Sequence, residues 1–258
     1  MISSLRELAL YRTMLSNLMV KELSAKYRES FLGFLWSLLN PLLTMVVYTL
    51  VFTTIMRVNL PAFPVFLLSG TLAWNFMQLS VSSCATVITN NSNLVKKVYF
   101  PSEVLPLSII LSNFINLLLN LIVFFIVAFV FHRGISKYVI ELPILFAAEM
   151  LFVMGLSFIV ATMTVWFRDI EHFISVVMFA WFYVTPIVFP ISMISAKYHK
   201  WFFLNPMTLI IEQYQRVLYW HENINWRDLG VFTALSLIVC IMGYLVIITK
   251  KHRFAEEV

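Results

Sequence analysis

Six apolar runs, each close to the length a helix needs to cross a bilayer, constrain this chain more than any other feature. They occupy 42–56 (extended back to about 36), 65–88, 104–131, 141–166, 173–190 and 229–249. A hydrocarbon core of ~30 Å takes about 20 apolar residues in helical form. Helices satisfy their own backbone groups without water, so the expected fold is an all-α integral membrane protein with six transmembrane helices. Composition points the same way. Hydrophobic residues make up 61% of the 258 positions and charged ones 12%, roughly half the charged share of a soluble domain.

The stretch 5–30 has a different character. Leu8, Tyr11, Leu15, Leu18 and Met19 share one helical face, while Arg12, Lys21 and Lys26 supply charge. Such a helix lies in the membrane plane. Arg6, Arg12, Lys21, Lys26 and Arg28 interrupt any compact apolar region near the start, so no cleavable signal peptide is expected. At Asn40-Pro41 a capping Asn precedes a Pro suited to a first turn, which predicts a bend and a new helix start there. With both termini inside, inner segments hold 11 of the 18 Lys and Arg and outer ones 7. The positive-inside rule therefore puts both ends in the cytoplasm. The segment 190–228 is too polar to span and is punctuated by Pro190 and Pro206. It predicts one or two short interfacial or re-entrant helices on the outer face. No internal repeat or low-complexity linker is visible. The expected organisation is one domain: a cytoplasmic interfacial helix over 1–33, a six-span bundle over 34–250 and a cytoplasmic tail over 251–258.

No engine for chemistry or pumping is apparent. The glycines are Gly33, Gly70, Gly134, Gly155, Gly230 and Gly243, and none precedes a Lys as a phosphate-cradling loop requires. No cofactor or metal is expected in this chain. Cys84 and Cys240 sit in apolar runs without a second Cys or His at ligand spacing. Basic residues gather at segment ends, which suits lipid headgroups rather than nucleic acid. Glu149 alone places an ionisable group well inside a span, and it reads either as a paired structural residue or as a proton relay. That scarcity argues against an ion-coupled carrier.

Neutral polar residues recur at helical spacing instead. Ser37, Asn40, Thr44 and Tyr48 do so in the first span, Ser80, Ser83 and Thr86 in the second, and Ser108, Ser112, Asn116 and Asn120 in the third. Such stripes are either interhelical glue or a surface that exchanges hydrogen bonds with a sugar. Trp36, Trp74, Trp166, Trp201, Trp220 and Trp226 are expected to anchor at the interfaces. Trp181 and Tyr183 lie within the fifth span, where flat rings could stack on pyranoses. Candidate channel-lining residues are therefore Tyr48, Ser80, Ser83, Asn116, Trp181 and Tyr183.

Five motifs carry a resemblance. Lys26-Tyr27-Arg28 followed by Leu32-Gly33-Phe34-Leu35-Trp36-Ser37-Leu38-Leu39-Asn40-Pro41 is the first. Asn93-Leu94-Val95-Lys96-Lys97-Val98-Tyr99-Phe100-Pro101 and Phe167-Arg168-Asp169-Ile170 follow. Thr185-Pro186-Ile187-Val188 and Asn205-Pro206-Met207-Thr208 complete the set. In this order they resemble the type-2 ABC exporter permeases for bacterial polysaccharides, most of all O-antigen exporter permeases, with teichoic acid and capsule permeases similar. The resemblance covers nearly the whole chain.

It implies a homodimer in the bacterial cytoplasmic (inner) membrane with two copies of a separate ABC ATPase, which would bind the ATP and Mg. The implied cargo is an undecaprenyl-linked polysaccharide moving through a channel between the two subunits. Asn93, Lys96, Lys97, Tyr99, Phe100 and Pro101 would form the inner gate and ATPase-coupling segment, with Arg168 and Asp169 a second contact. Residues 191–220 would form outer gate helices. Lys96 and Lys97 also suit a lipid diphosphate, or plain positive-inside topology.

Three alternatives stay open. One is an ABC exporter of a small lipid or drug, and another an ion-coupled carrier or channel. The third is a membrane enzyme such as a lipid-linked sugar transferase, for which Arg168-Asp169 alone is thin support.

Overall fold

A computed structural model of the chain describes residues 11–27, 33–98 and 100–257. Among the described residues every regular element is helical. The order begins with α1 (Arg12–Tyr27), α2 (Trp36–Thr49, prolonged by a π-helical segment Leu50–Ile55) and α3 (Phe63–Ala85). Two short helices follow, α4 (Val87–Asn90) and α5 (Ser92–Lys97), then α6 (Val104–Val130), α7 (Leu142–Trp166) and α8 (Ile170–Tyr183). The rest comprises α9 (Ala196–Phe202), α10 (Pro206–Gln215, with a π-helical segment Arg216–Trp220), α11 (Trp226–Lys250) and α12 (Phe254–Glu257).

Among the described residues, four apolar helical stretches are long enough to cross a membrane: Trp36–Ile55, Val104–Val130, Lys137–Trp166 and Trp226–Arg253. The chain is thus a multi-pass membrane protein. α3 has 23 residues, roughly 35 Å of helix, yet carries Asn75, Gln78, Ser80, Ser82 and Ser83. Eighteen of its residues, Ser80 among them, are buried within the protein, and Asn75, Gln78, Ser82 and Ser83 are half-buried. It packs against α6, α7 and α10. α2 is the opposite case: it lies on α3 and α6 but buries none of its own residues.

α7 and α11 pair along their length through small residues. A Cβ on Gly155 would come within 2.5 Å of the Val239 carbonyl, and one on Gly243 would overlap the Gly155 carbonyl. Close backbone approach of this kind maximises dispersion where lipid offers no hydrophobic drive. α1 lies against α6, with Tyr11, Met14, Leu15 and Leu18 half-buried on the core and Arg12 and Lys21 exposed.

α10 inserts into the bundle at the loop-rich end, which comprises 56–62, 131–141 and 184–225. Asn205 caps it by accepting from Met207 N at 3.0 Å, and Pro206 sits in the first turn. Asn225 N donates to Gln213 Oε1 at 2.7 Å, and Gln215 Nε2 donates to the Pro186 carbonyl at 3.0 Å. α9, in contrast, is largely exposed. At the opposite end, Lys251 Nζ pairs with buried Glu103 at 3.3 Å. Phe254, fully buried, packs 5.8 Å from Trp166, and α12 touches α5.

Three sequence expectations are corrected. α2 starts at Trp36, after a 3-10 turn at Gly33–Leu35, and runs through Asn40-Pro41, so Asn40 does not cap it. Pro41 lies only a turn and a half into the helix, where its missing N–H removes a single bond. The fifth apolar run is helical only to Tyr183, because the residue before Pro186 is driven from helical geometry. Thr185, Pro186, Ile187 and Val188 are instead buried, non-helical chain. Trp74 anchors no interface, being buried at 1% exposure.

Candidate functional site

The neutral polar rows meet in a groove. α2 supplies Ser37, Asn40 and Thr44, and α3 supplies Asn75, Gln78 and Ser82. α6 adds Asn116 and Asn120, and Trp36 also lines the cavity of about 610 Å³. Each set falls at spacings of three or four residues, which places its members on one helical face. Among the described residues, no charged side chain lines the groove.

On the far side of the α3 row lies a smaller cavity of about 130 Å³ between α2, α3 and α8. It shares Thr44, Asn75 and Gln78 with the groove and adds Tyr48, Thr71, Trp74, Phe179, Phe182 and Tyr183. Tyr48 stacks on Phe182 at 5.8 Å and 20°, and Trp74 meets Phe182 edge-on at 5.6 Å. Trp74 Nε1 donates to Gln78 Oε1 at 2.9 Å, fixing the carboxamide between the two cavities. α2 thus covers a polar floor that is amide-rich on one side and aromatic on the other.

The six candidate lining residues separate clearly. Asn116 lines the groove, and Tyr48 and Tyr183 line the aromatic cavity. Ser80 is fully buried in the packed interior of α3, and Ser83 lines neither cavity. Of the serine row of α3, Ser80 faces protein and Ser83 is half-buried, while Asn75, Gln78 and Ser82 line the groove. The signal for that face was present in the sequence: two carboxamides three residues apart, with Ser82 four residues further on. Trp181 is held elsewhere, its Nε1 donating to Asn205 Oδ1 at 2.8 Å. Asn205 Nδ2 in turn donates to Thr185 Oγ1 at 2.9 Å. Trp181 ties the end of α8 to the start of α10.

The proposed coupling residues gather at the short-loop end. Asn93, Lys96 and Lys97 are exposed on α5, and Arg168 and Asp169 are exposed in the turn between α7 and α8. Leu94 and Val95 pack α5 onto the core, and Phe100 and Pro101 are buried. Tyr99 and the motif residues Arg28 and Leu32 lie outside the described residues.

Comparison with known proteins agrees with this picture. A family model described as ABC-2 type transporter matches residues 14–219. The chain is 35% identical over its whole length, and that of the relative, to "O-antigen export system permease protein RfbA" of Myxococcus xanthus. It is 31% identical to the protein of the same name from Klebsiella pneumoniae, covering 92% of this chain and 91% of that one. It is 20% identical to "Polysialic acid transport protein KpsM" of Escherichia coli over 88% and 90% of the two chains. An all-helical membrane bundle whose motifs keep their order, matched by that family model over most of its length, belongs to the ABC-2 type transporter family.

Proposed function

We propose that this chain is the membrane-spanning permease subunit of an ATP-driven exporter for lipid-linked polysaccharide, O-antigen-like in class and carried on undecaprenyl diphosphate. Six spans, α2, α3, α6, α7, α8 and α11, cross the bacterial inner membrane as one domain, and both ends of the chain face the cytoplasm. The loop-rich end then faces outward. Two copies enclose the path, and two separate ATPase subunits, which bind ATP and Mg, dock on α5 and the Arg168-Asp169 turn.

The observation that carries this reading is the uncharged groove. A sugar leaving water loses hydrogen bonds from its hydroxyls, and burial of such groups is costly unless they are replaced. Eight neutral donors and acceptors replace them without the deep trap that a buried charge would make, and passage needs weak, repeated binding. The aromatic cavity supplies flat faces for the apolar side of a pyranose. Nothing in this arrangement couples to an ion gradient, so the driving force comes from the partner, through the exposed basic elements that stand on α5 and the α7–α8 turn.

The test is reconstitution. Vesicles holding this chain and its partner ATPase should move fluorescently tagged lipid-linked glycan only with ATP. Uphill movement by the chain alone, driven by a proton or sodium gradient, would overturn the proposal.

A further inference from the structure

We propose that the loop-rich end carries a second carbohydrate subsite, separate from the groove, built around Trp220, Glu212 and Arg216 and sized for one neutral pyranose unit of the exported chain. It rests on the glycan-export reading.

The cavity holds about 290 Å³ and is lined by Ser192, Glu212, Gln215, Arg216, Trp220 and Glu222 among others. It shares no residue with the groove. That volume corresponds to roughly ten waters at ~30 Å³ each, room for a single sugar ring with some solvent.

Local backbone geometry builds it. Glu212, Arg216 and Trp220 recur every fourth residue, so α10 presents them in one row. After Gln215 the helix widens into the π-helical segment 216–220 and stops at His221, whose φ is 57°. π-Helical turns are rare and concentrate at functional sites. A non-glycine residue in left-handed geometry likewise persists only where its surroundings impose it.

The side chains are held before any ligand arrives. Arg216 Nη2 pairs with Glu222 at 3.0 Å, and its Nε donates to the Asn223 carbonyl at 3.0 Å. Tyr219 donates to the Pro61 carbonyl at 2.6 Å and meets the Trp220 ring edge-on at 4.7 Å. The Arg133 guanidinium lies 4.8 Å over the Tyr219 ring. The indole of Trp220 therefore stands on a fixed support with nearly half its surface exposed. Meanwhile Glu212 Oε2 is buried and has no hydrogen-bond partner among the described residues.

An aromatic face beside carboxylates, a guanidinium and an amide matches a sugar ring. The indole covers its C–H face, the carboxylates accept from hydroxyls, and Arg216 and Gln215 donate. Glu212 and Glu222 outnumber Arg216, which is already paired, and Asp228 adds negative charge nearby. The site therefore takes neutral units and rejects uronic or sialic acids.

The test uses the complex of this chain with its ATPase in lipid nanodiscs. The probe is the producing bacterium's own surface polysaccharide, released from its lipid by mild acid. Amide hydrogen exchange across 212–225 gives a readout that the groove does not affect. With the probe at ten times its dissociation constant, exchange through local opening should slow about tenfold. Trp220→Ala and Glu212→Gln should each abolish that slowing, Trp220→Phe should keep part of it, and Phe129→Ala on the outward face of α6 should keep all of it. Polysialic acid should give none. Unchanged exchange in the wild type, or equal protection in Trp220→Ala, overturns the subsite. Failure of the export reading shows separately, as normal surface glycan in a bacterium lacking the chain.

Discussion

Tyr214 donates a hydrogen bond of 2.5 Å to Oε2 of Glu149, joining α10 to α7 across 65 residues of sequence. Both side chains are fully buried, and Glu149 Oε1 has no partner among the described residues. Tyr214→Phe should destabilise the protein by about 1–3 kcal/mol, since it leaves a buried acceptor unsatisfied. Glu149→Leu combined with Tyr214→Phe should be less harmful than Tyr214→Phe alone. Thermal unfolding in detergent gives the ranking, and the reverse order would show that packing of the phenol, not the hydrogen bond, matters here.

A second expectation concerns the α7–α11 seam. Gly155→Leu should force the helices apart and cost about 3 kcal/mol or more, at the upper end for overpacking. Gly230→Ala, where an added Cβ meets nothing within 4 Å, should be neutral or slightly stabilising. Purified yield and unfolding midpoint of the two variants compare them directly.

The Glu103–Lys251 pair supplies a third. Glu103 is 1% exposed and Lys251 17% at the side chain, so removing the lysine strands a buried carboxylate. Lys251→Met should cost about 3 kcal/mol, while Lys251→Met with Glu103→Gln should recover most of it. Chemical denaturation of the wild type, Lys251→Met, Glu103→Gln and the double variant forms the cycle.

Glu212 gives a pH dependence. Burial first, then Asp228, raise its carboxyl above the ordinary value of 4.5; Arg216 and His199 lower it in part, and Glu222 adds the smallest upward push. A raised carboxyl favours the protonated folded state. Stability from this group is therefore fully present below 4.5 and declines as pH rises through the folded value. Glu212→Gln should flatten the unfolding midpoint over that interval, and an unchanged slope would assign the dependence to another group.

Export supplies the last. Asn116→Asp places a charge in a groove whose described lining is uncharged, and should lower ATP-dependent glycan transport at least about tenfold by trapping or repelling the chain. Assembly with the ATPase should be unaffected, as co-purification would show. Arg168→Ala should do the converse, leaving the groove intact while ATP hydrolysis continues without export.

Much of the bundle was legible because bilayer thickness writes itself into run length. The helices at Val104–Val130 and Leu142–Trp166 fall within a residue of the apolar limits. What was not legible depended on contacts between distant segments. Ser82 shares a helical face with Asn75 and Gln78 and Ser80 does not, but only the placement of α2 and α6 against α3 makes that face the groove. Trp181 donates its N–H to Asn205, 24 residues on, a contact that no local pattern announces. Pro41 carried a strong local signal for a helix start, yet the 3-10 turn before it had already begun the helix. Pro186 was equally visible, and its effect on the preceding residue would have ended α8 correctly.

The contrast between α2 and α3 sets where this molecule can yield. Work against burial scales with apolar area returned to solvent or lipid, and α3 would surrender 18 enclosed residues where α2 surrenders none. Any widening that admits a bulky headgroup is therefore cheapest as a sideways displacement of the first long helix, leaving the amide-bearing floor rigid. A cross-link pinning Thr44 to Asn75 would freeze that motion while leaving every other element in place.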